Sequence, residues 1–208
     1  MKTILLPGMG ADSTMYPKNK YDKLKDVLFA EWPNYKGETT IYQVAWRVIN
    51  EYNIKNDIVI GGASLGGMVA VEIAKIIKIK KVLLISSTTH PDTINPALRK
   101  LSTLAEIAPI KLVQLLAGTI NHRLNSAVLT MFEKADTDFI RAMSKAVFEW
   151  KGIEGYQCET FRIHGKKDKV ILPPEDPVEL IENGRHLITM THAEIVAEFI
   201  QKNTSKDS

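Results

Sequence analysis

The chain has 208 residues, of which 45% are hydrophobic and 25% are charged, and its formal net charge is +3. These values are typical of one globular domain, and because the lysines lie among acidic residues, nucleic acid is a poor candidate partner. The single cysteine, Cys158, excludes an internal disulfide. No apolar run approaches bilayer-spanning length and Lys2 leads directly into a strand-like run, so we expect no membrane span, no signal peptide and a cytoplasmic protein.

Strand-like and helix-like segments alternate in the first part of the chain. Apolar runs predict strands at 2–6, 27–32, 57–61 and 81–86. Apolar residues at helical spacing predict helices at 39–52 and 66–77, the first of them capped by Thr39 or Thr40. This alternation is typical of a mainly parallel sheet with helices on both faces.

The segment from 95 to 150 contains helical patterns only. They predict helices at 95–107, 110–117, 126–133 and 137–150. We expect the whole segment, 95–150, to be a helical lid insertion beside the carboxyl ends of the strands, although helices that simply pack on the sheet would have the same patterns.

The last third of the chain returns to strand patterns. Strands are predicted at 159–164 and 178–182, a final helix at 193–201, and a disordered polar tail at 202–208. We therefore expect a single domain over residues 1–208.

The most informative motif is Gly62-Ala63-Ser64-Leu65-Gly66, which lies between a predicted strand and a predicted helix. G-x-S-x-G in that position is typical of a nucleophile elbow, in which a strained turn presents the serine hydroxyl at a helix amino terminus. A glycine-rich turn with a capping serine would use the same residue types. The β-α-β context favours the catalytic interpretation, provided that a base and an acid accompany Ser64.

At this point the sequence resembles the α/β-hydrolase superfamily over nearly its whole length, and it looks closest to lid-bearing carboxylesterases, including pimeloyl-ester-type esterases. That family has the chain order nucleophile, acid, histidine. The segment from His164 to Asp168, H-G-K-K-D, looks like the family's acid loop, which implies Asp168 as the acid; Asp92 is the alternative. The segment from Gly184 to His186 looks like the family's histidine loop, which implies His186 as the base.

The other histidines are weaker candidates. His192 competes with His186, but Thr191 and Glu194 predict a capping box at the start of the last helix. We expect His164 to be a structural residue beside the acid loop, and the remaining two to face solvent or lie in the lid: His90 and His122. No His, Cys and Asp cluster has metal-ligand spacing, so no metal is expected.

The resemblance also implies an oxyanion hole made of two backbone N–H groups, which stabilise the negative charge of acyl transfer. They belong to Leu65, directly after the nucleophile, and to Met9, in the loop Pro7-Gly8-Met9-Gly10. Two positions depart from the family, because Pro7 and Ala63 stand where histidines are common.

The chain is also shorter than the family's usual form. The first two strands of the usual eight-stranded sheet have no counterpart, so we expect an α/β fold with about six strands. A loop or a second copy of the chain, in a homodimer, could cover the exposed sheet edge.

Taken together, the resemblance implies a serine hydrolase that cleaves a small-molecule carboxylic ester or thioester through an acyl-serine intermediate and needs no cofactor. Apolar residues predict an acyl pocket, although those in the lid could equally be ordinary core: Met15, Leu65, Met68, Leu112, Leu115, Leu116, Met131, Phe132 and Met143. The same triad also serves amide or C–C cleavage and lyase or perhydrolase chemistry, and an inert hydrolase fold can act as a ligand-binding protein.

Overall fold

The computed structural model describes residues 2–98, 122–154, 158–175 and 177–205. Within these ranges six strands form one sheet in the order β2-β1-β3-β4-β5-β6, and every adjacent pair is parallel. The prediction of a sheet of about six mainly parallel strands is therefore confirmed. The strands are β1 (Thr3–Leu6), β2 (Val27–Phe29), β3 (Val59–Ala63), β4 (Lys81–Ile85), β5 (Glu159–Gly165) and β6 (Glu179–Ile181).

Helices cover both faces of the sheet. The α-helices are α1 (Lys18–Tyr21), α2 (Ile41–Glu51), α3 (Leu65–Ile76), α4 (His122–Lys134), α5 (Thr137–Glu149), α6 (Ile188–Thr191) and α7 (Ala193–Thr204), and short 3-10 helices lie at Ser13–Met15 and Pro91–Thr93. Helices α2, α3 and α5 contribute to one hydrophobic core, and α1, α4 and α7 contribute to the other. None of these helices has the length and hydropathy needed to cross a membrane.

Successive side chains of a strand contribute alternately to the two hydrophobic cores. In β1, Ile4 and Leu6 belong to the core that contains α2 and α3, whereas Leu5 belongs to the core that contains α7. In β4, Val82 and Leu84 belong to the first of these cores, and Leu83 and Ile85 belong to the second. Since successive side chains of a strand point to opposite faces, a strand buried on both faces must be apolar throughout, which explains the continuous apolar runs.

Several predicted boundaries need correction. β3 lies two residues later than 57–61, because Asp57 adopts a left-handed φ of 63° before the strand begins. The last helix continues to Thr204, so residues 202–204 are helical and not part of a tail. The predicted capping box is wrong, because the Thr191 hydroxyl donates to the carbonyl of Leu187 and Glu194 pairs with Lys20 instead. In contrast, Thr40 does cap α2, in a capping box with Gln43.

The segment between β4 and β5 is described up to residue 98 and again from residue 122 onwards. Helices α4 and α5 correspond to the helices predicted at 126–133 and 137–150. The predicted helix 110–117 and most of 95–107 lie outside the described residues.

Candidate active site

Ser64 occupies a sharp turn between the end of β3 and the start of α3. Its φ of 51° and ψ of −118° are strained for a residue with a side chain, at a cost of about 1–3 kcal/mol. The N–H of Ser64 donates to the carbonyl of Ile85, at 3.1 Å, and its carbonyl accepts from the Ser87 hydroxyl, at 2.6 Å. These two bonds tie the strained turn to the end of β4.

The glycines of the motif make room for the backbone of β1. A Cβ atom on Gly66 would lie 2.5 Å from the carbonyl oxygen of Pro7 and 2.6 Å from that of Leu6. A Cβ atom on Gly62 would lie 2.6 Å from the same Leu6 oxygen. Because real Cβ atoms do not approach oxygen this closely, the turn can sit against β1 only with glycine at both positions.

The side chains of Ser64, His186 and Asp168 form a continuous hydrogen-bonded chain. His186 Nε2 lies 3.0 Å from Ser64 Oγ, and His186 Nδ1 lies 2.7 Å from Asp168 Oδ2. Ser64 directly follows β3, Asp168 lies in the loop after β5, and His186 lies in the loop after β6. Since all the strands are parallel, their carboxyl ends meet at one edge of the sheet, which brings together three residues far apart in sequence.

Asp168 is bound through both of its carboxylate oxygens. Oδ1 accepts from the backbone N–H groups of Val170, at 2.8 Å, and Ile171, at 3.2 Å. Oδ2 also lies 3.1 Å from His164 Nε2, which is 2.9 Å from the carbonyl oxygen of Ile171. Because both of these partners are acceptors, His164 Nε2 must carry a hydrogen. The sequence predicted a structural His164 beside this loop, and the structure places its ring within hydrogen-bond distance of the Asp168 carboxylate.

The surroundings of Asp168 favour its ionised form. Burial raises the pKa of Asp168, but the attraction of His186 and the hydrogen bonds from His164 and His186 outweigh it and hold the pKa well below the usual value. An ionised Asp168 accepts a hydrogen bond from the N–H at His186 Nδ1, so Nε2 is the unprotonated ring nitrogen and can accept the proton of the Ser64 hydroxyl.

The alternative residues lie away from this chain of contacts. The Asp92 side chain is 80% exposed and pairs with His90. His192 Nδ1 is hydrogen-bonded to the Thr191 hydroxyl. The side chain of His122 is outside the described part of the structure. Of the predicted acids and bases, the structure therefore brings only Asp168 and His186 to Ser64 among the side chains that it describes.

The loop that contains Met9 runs beside Ser64. A Cβ atom on Gly8 would lie 3.6 Å from Ser64 Cβ, an ordinary van der Waals distance. Leu65 is the first residue of α3, where backbone N–H groups have no partner within the helix. In the part of the chain that the structure describes, neither the N–H of Met9 nor that of Leu65 donates to another protein group.

A cavity of about 100 Å³ opens at Ser64. Apolar side chains dominate its lining, and they include the following predicted pocket residues: Met15, Leu65, Met68, Met131 and Phe132. Met143 is instead fully buried in the core, and three predicted pocket residues lie outside the described residues: Leu112, Leu115 and Leu116. Across the described ranges, no group of three or more His, Cys, Asp or Glu side chains is arranged to hold a metal ion.

Comparisons with known proteins identify the fold. No protein-family model matches the sequence, and a search of curated proteins finds no match. A hydrolase from Oleispira antarctica matches with a TM-score of 0.81 at 17% identity, over 100% of this chain and 92% of that one. A lipase-esterase related protein from Clostridium acetobutylicum matches with a TM-score of 0.78 at 19% identity, over 98% of this chain and 94% of that one. A thermophilic esterase from Thermogutta terrifontis, with malate bound, has a TM-score of 0.77 and 20% identity, over 97% of this chain and 88% of that one.

The chain has the α/β-hydrolase fold. The predicted fold class is therefore confirmed, including a sheet whose described strands are all parallel. The low identities mean that this likeness concerns the architecture, and function has to be argued from the site.

Two supporting residues were missed at the sequence level. Ser87 holds the carbonyl of Ser64, and Trp32 donates through its indole N–H to the carbonyl of Gly8, at 2.9 Å. Ser87 stands directly after a buried strand, and Trp32 stands before the proline that follows another strand. Polar groups at the carboxyl ends of parallel strands were the available signal for both.

Proposed function

We propose that this protein is a serine hydrolase that cleaves a small carboxylic ester or thioester through an acyl-serine intermediate. The observation that carries the proposal is the hydrogen-bonded chain from Ser64 Oγ through His186 to the buried carboxylate of Asp168. A serine hydroxyl is a weak nucleophile at neutral pH, and a histidine oriented by a carboxylate is the arrangement that activates it.

In the proposed acylation step, Ser64 Oγ attacks the substrate carbonyl carbon while His186 Nε2 takes the hydroxyl proton. Asp168 stabilises the resulting imidazolium through Nδ1. The carbonyl oxygen becomes an oxyanion, which accepts hydrogen bonds from the N–H groups of Met9 and Leu65. When the tetrahedral intermediate collapses, the bond to the leaving alcohol or thiol breaks, and His186 returns the proton to that group.

In the proposed deacylation step, His186 Nε2 takes a proton from water as the water oxygen attacks the acyl-serine carbonyl. A second tetrahedral intermediate forms in the same oxyanion hole. Its collapse releases the carboxylic acid and returns the proton to Ser64 Oγ, which restores the starting enzyme.

The lining of the cavity supports an apolar acyl group. Among the described lining residues, His186 is the only one with an ionisable side chain, and five are methionines, whose flexible side chains adapt to apolar groups of varied shape. Helices α4 and α5 supply a wall that includes Val128, Phe132 and Val147. We propose that these helices belong to a lid over the acyl group, because their side chains line the cavity at Ser64.

The proposal is tested with a fluorophosphonate probe and a panel of p-nitrophenyl esters of graded acyl length, together with thioesters and aminoacyl anilides. We expect covalent labelling of Ser64 and turnover of esters with short apolar acyl groups. Ser64→Ala should abolish labelling and lower kcat by about 10³-fold or more.

A matched pair tests the base. His186→Gln should lower kcat by about 10³-fold or more, because the nucleophile loses its proton acceptor. His192→Gln makes the same change at the competing histidine and should leave kcat unchanged. An unlabelled wild-type protein, or equal losses in the two histidine variants, would contradict the proposal.

A further inference from the structure

We infer that the indole N–H of Trp32 is a positioning group for the oxyanion hole and acts through the peptide that joins Gly8 to Met9. This inference rests on the proposed function, since it assigns a role in stabilising the oxyanion. Trp32 itself is not among the described residues that line the cavity at Ser64.

The geometry follows from the peptide unit. Trp32 Nε1 donates to the carbonyl oxygen of Gly8, at 2.9 Å. That carbonyl and the N–H of Met9 are the two ends of one planar trans peptide, so they point in opposite directions. Holding the Gly8 carbonyl on one side therefore aims the Met9 N–H to the other side. The hydrogen bond also polarises the peptide, which strengthens its N–H as a donor.

A turn within the loop cannot replace this contact. The N–H of Ala11 donates to the same Gly8 carbonyl, at 3.2 Å, and Gly10 takes the left-handed φ of 70° that closes the turn. That bond fixes the shape of the loop but joins two of its own residues. Trp32 comes from the segment after β2, so its bond fixes the orientation of the loop relative to the rest of the protein.

The donor itself is anchored at its backbone and at its ring. The Tyr52 hydroxyl accepts from the N–H of Glu31, at 2.8 Å, and donates to the carbonyl of Glu31, at 2.7 Å, so the backbone next to Trp32 is clamped. The indole packs against Phe139 of α5, with the ring centroids 5.3 Å apart. Because both ends are held, the direction of the indole N–H is set before a substrate arrives.

The role predicts a specific kinetic signature. Full negative charge on the substrate oxygen exists in the tetrahedral intermediate and not in the bound ester, so a misaimed Met9 N–H weakens transition-state binding alone. Loss of the Trp32 donor should therefore lower kcat and leave KM unchanged.

Two substitutions at Trp32 separate the donor from the ring. Trp32→Phe keeps an aromatic ring against Phe139 but has no N–H. Trp32→His loses the benzo ring but keeps a ring nitrogen at the position of the indole nitrogen, two bonds from Cγ. We expect kcat to fall about tenfold in Trp32→Phe and less than about threefold in Trp32→His, well below the 10²- to 10³-fold cost of deleting an oxyanion donor.

A packing role for Trp32 predicts the opposite order, with Trp32→Phe the more active variant, and that result would overturn the inference. Trp46→Phe is the matched control, since Trp46 is 41% exposed on α2 and should not affect kcat. If Trp32→Phe fails to fold, a folded Trp32→His variant still decides the question, because a tenfold fall in its kcat would contradict the donor role.

An alkyl boronic acid gives a second readout. It forms a tetrahedral adduct on Ser64 that places an oxygen in the oxyanion hole. Its affinity should fall in Trp32→Phe by the same factor as kcat, and equal affinity in wild type and variant would overturn the inference. Failure of the proposed function is distinguishable, because wild-type Ser64 would then neither react with a fluorophosphonate nor support ester turnover.

Discussion

The turn at Ser64 and the loop at Met9 line the same cavity, but they are held in different ways. The turn packs backbone against backbone, since Gly66 sits too close to β1 for any side chain, and the Ser87 hydroxyl adds one side-chain bond to the carbonyl of Ser64. The loop is held by side chains from elsewhere, because Met15 Sδ accepts from the Gly8 N–H, at 3.1 Å, and the indole of Trp32 donates to the Gly8 carbonyl.

This difference predicts how each region responds to sequence change. A turn packed backbone against backbone tolerates no added Cβ, whatever surrounds it. A loop that is held by side chains outside it can tolerate substitution of its own residues, provided that those supporting side chains remain. Pro7, which stands where the family commonly has a histidine, fits the second case, because the supports of this loop lie after β1 and β2.

The largest effect is expected at Asp168, whose loop combines both modes of support. Asp168→Asn keeps the shape of the side chain but replaces the charged acceptor opposite His186 Nδ1, so the imidazole loses its orientation and its stabilised charge. We expect kcat to fall by about 10³- to 10⁴-fold in steady-state ester hydrolysis. Asp92→Asn is the control at an exposed carboxylate and should retain wild-type kcat; a similar fall in both variants would refute the assignment of the acid.

The next effect tests the backbone-held turn. Gly66→Ala would place a Cβ atom 2.5 Å from the carbonyl oxygen of Pro7, and we expect the free energy of unfolding to fall by about 3 kcal/mol. Gly8→Ala, in the side-chain-held loop, meets nothing nearer than 3.6 Å and should change stability by less than about 1 kcal/mol. Urea denaturation measures both, and equal losses would remove the distinction between the two regions.

A smaller effect is expected at His164, a positioning residue beneath Asp168. His164→Leu removes the N–H that binds Asp168 Oδ2, and we expect kcat to fall about tenfold. His164→Gln can present an amide N–H near the same point and should recover most of the loss. If the two variants have the same kcat, the hydrogen bond to Asp168 is not what matters.

Acid unfolding gives His164 a readout that a packing role would not affect. The pKa of folded Asp168 lies below its unfolded value, so the stability it contributes is present above the unfolded pKa, about 3.9, and is lost as pH falls through the folded one. His164→Leu lessens the depression of that pKa. Relative to wild type, the loss in the free energy of unfolding of His164→Leu that comes from Asp168 should therefore be complete above about pH 4 and should shrink below that pH. A loss that comes from packing would not depend on pH.

The smallest effect is expected at Met15, the second support of the Met9 loop. Met15→Leu keeps the volume but leaves the Gly8 N–H without its sulfur acceptor, so we expect a loss of about 1 kcal/mol in stability and a few-fold fall in kcat. Met143→Leu makes the same change in the core, where Met143 is fully buried, and should leave kcat unchanged. An unaffected Met15→Leu variant would mean that the contact between Met15 Sδ and the Gly8 N–H does not support the loop.

The parts of this molecule that the sequence predicted are those whose cause is local. Ser64 sits in a turn that needs glycines two residues away on both sides, and that spacing is visible in five letters. Asp168 and His186 each occur within a short motif after a strand. The resemblance to α/β-hydrolases implied that these three residues act together. The parallel sheet is the physical reason that they lie side by side, because its strands end at one edge.

The parts that were missed depend on contacts between distant segments. Trp32 is 24 residues from its acceptor Gly8, and no local pattern links them. β3 was placed too early because Gly62 and Ala63 were assigned to the turn motif, whereas both lie within the strand, where the absence of a side chain at Gly62 lets neighbouring backbone approach. The Thr191 capping box failed because a short helix, α6, already uses the Thr191 hydroxyl.

The pairing of β4 with β5 has a consequence for synthesis. Lys81 pairs with Glu159, so the helices between β4 and β5 must be made before the sheet can grow past β4, and such long-range parallel pairing slows folding. Asp168 and His186 follow later still. A nascent chain leaving the ribosome therefore carries Ser64 without either partner until the loops after β5 and β6 have been made, and the hydrogen-bonded chain of the three side chains can form only after both loops have docked.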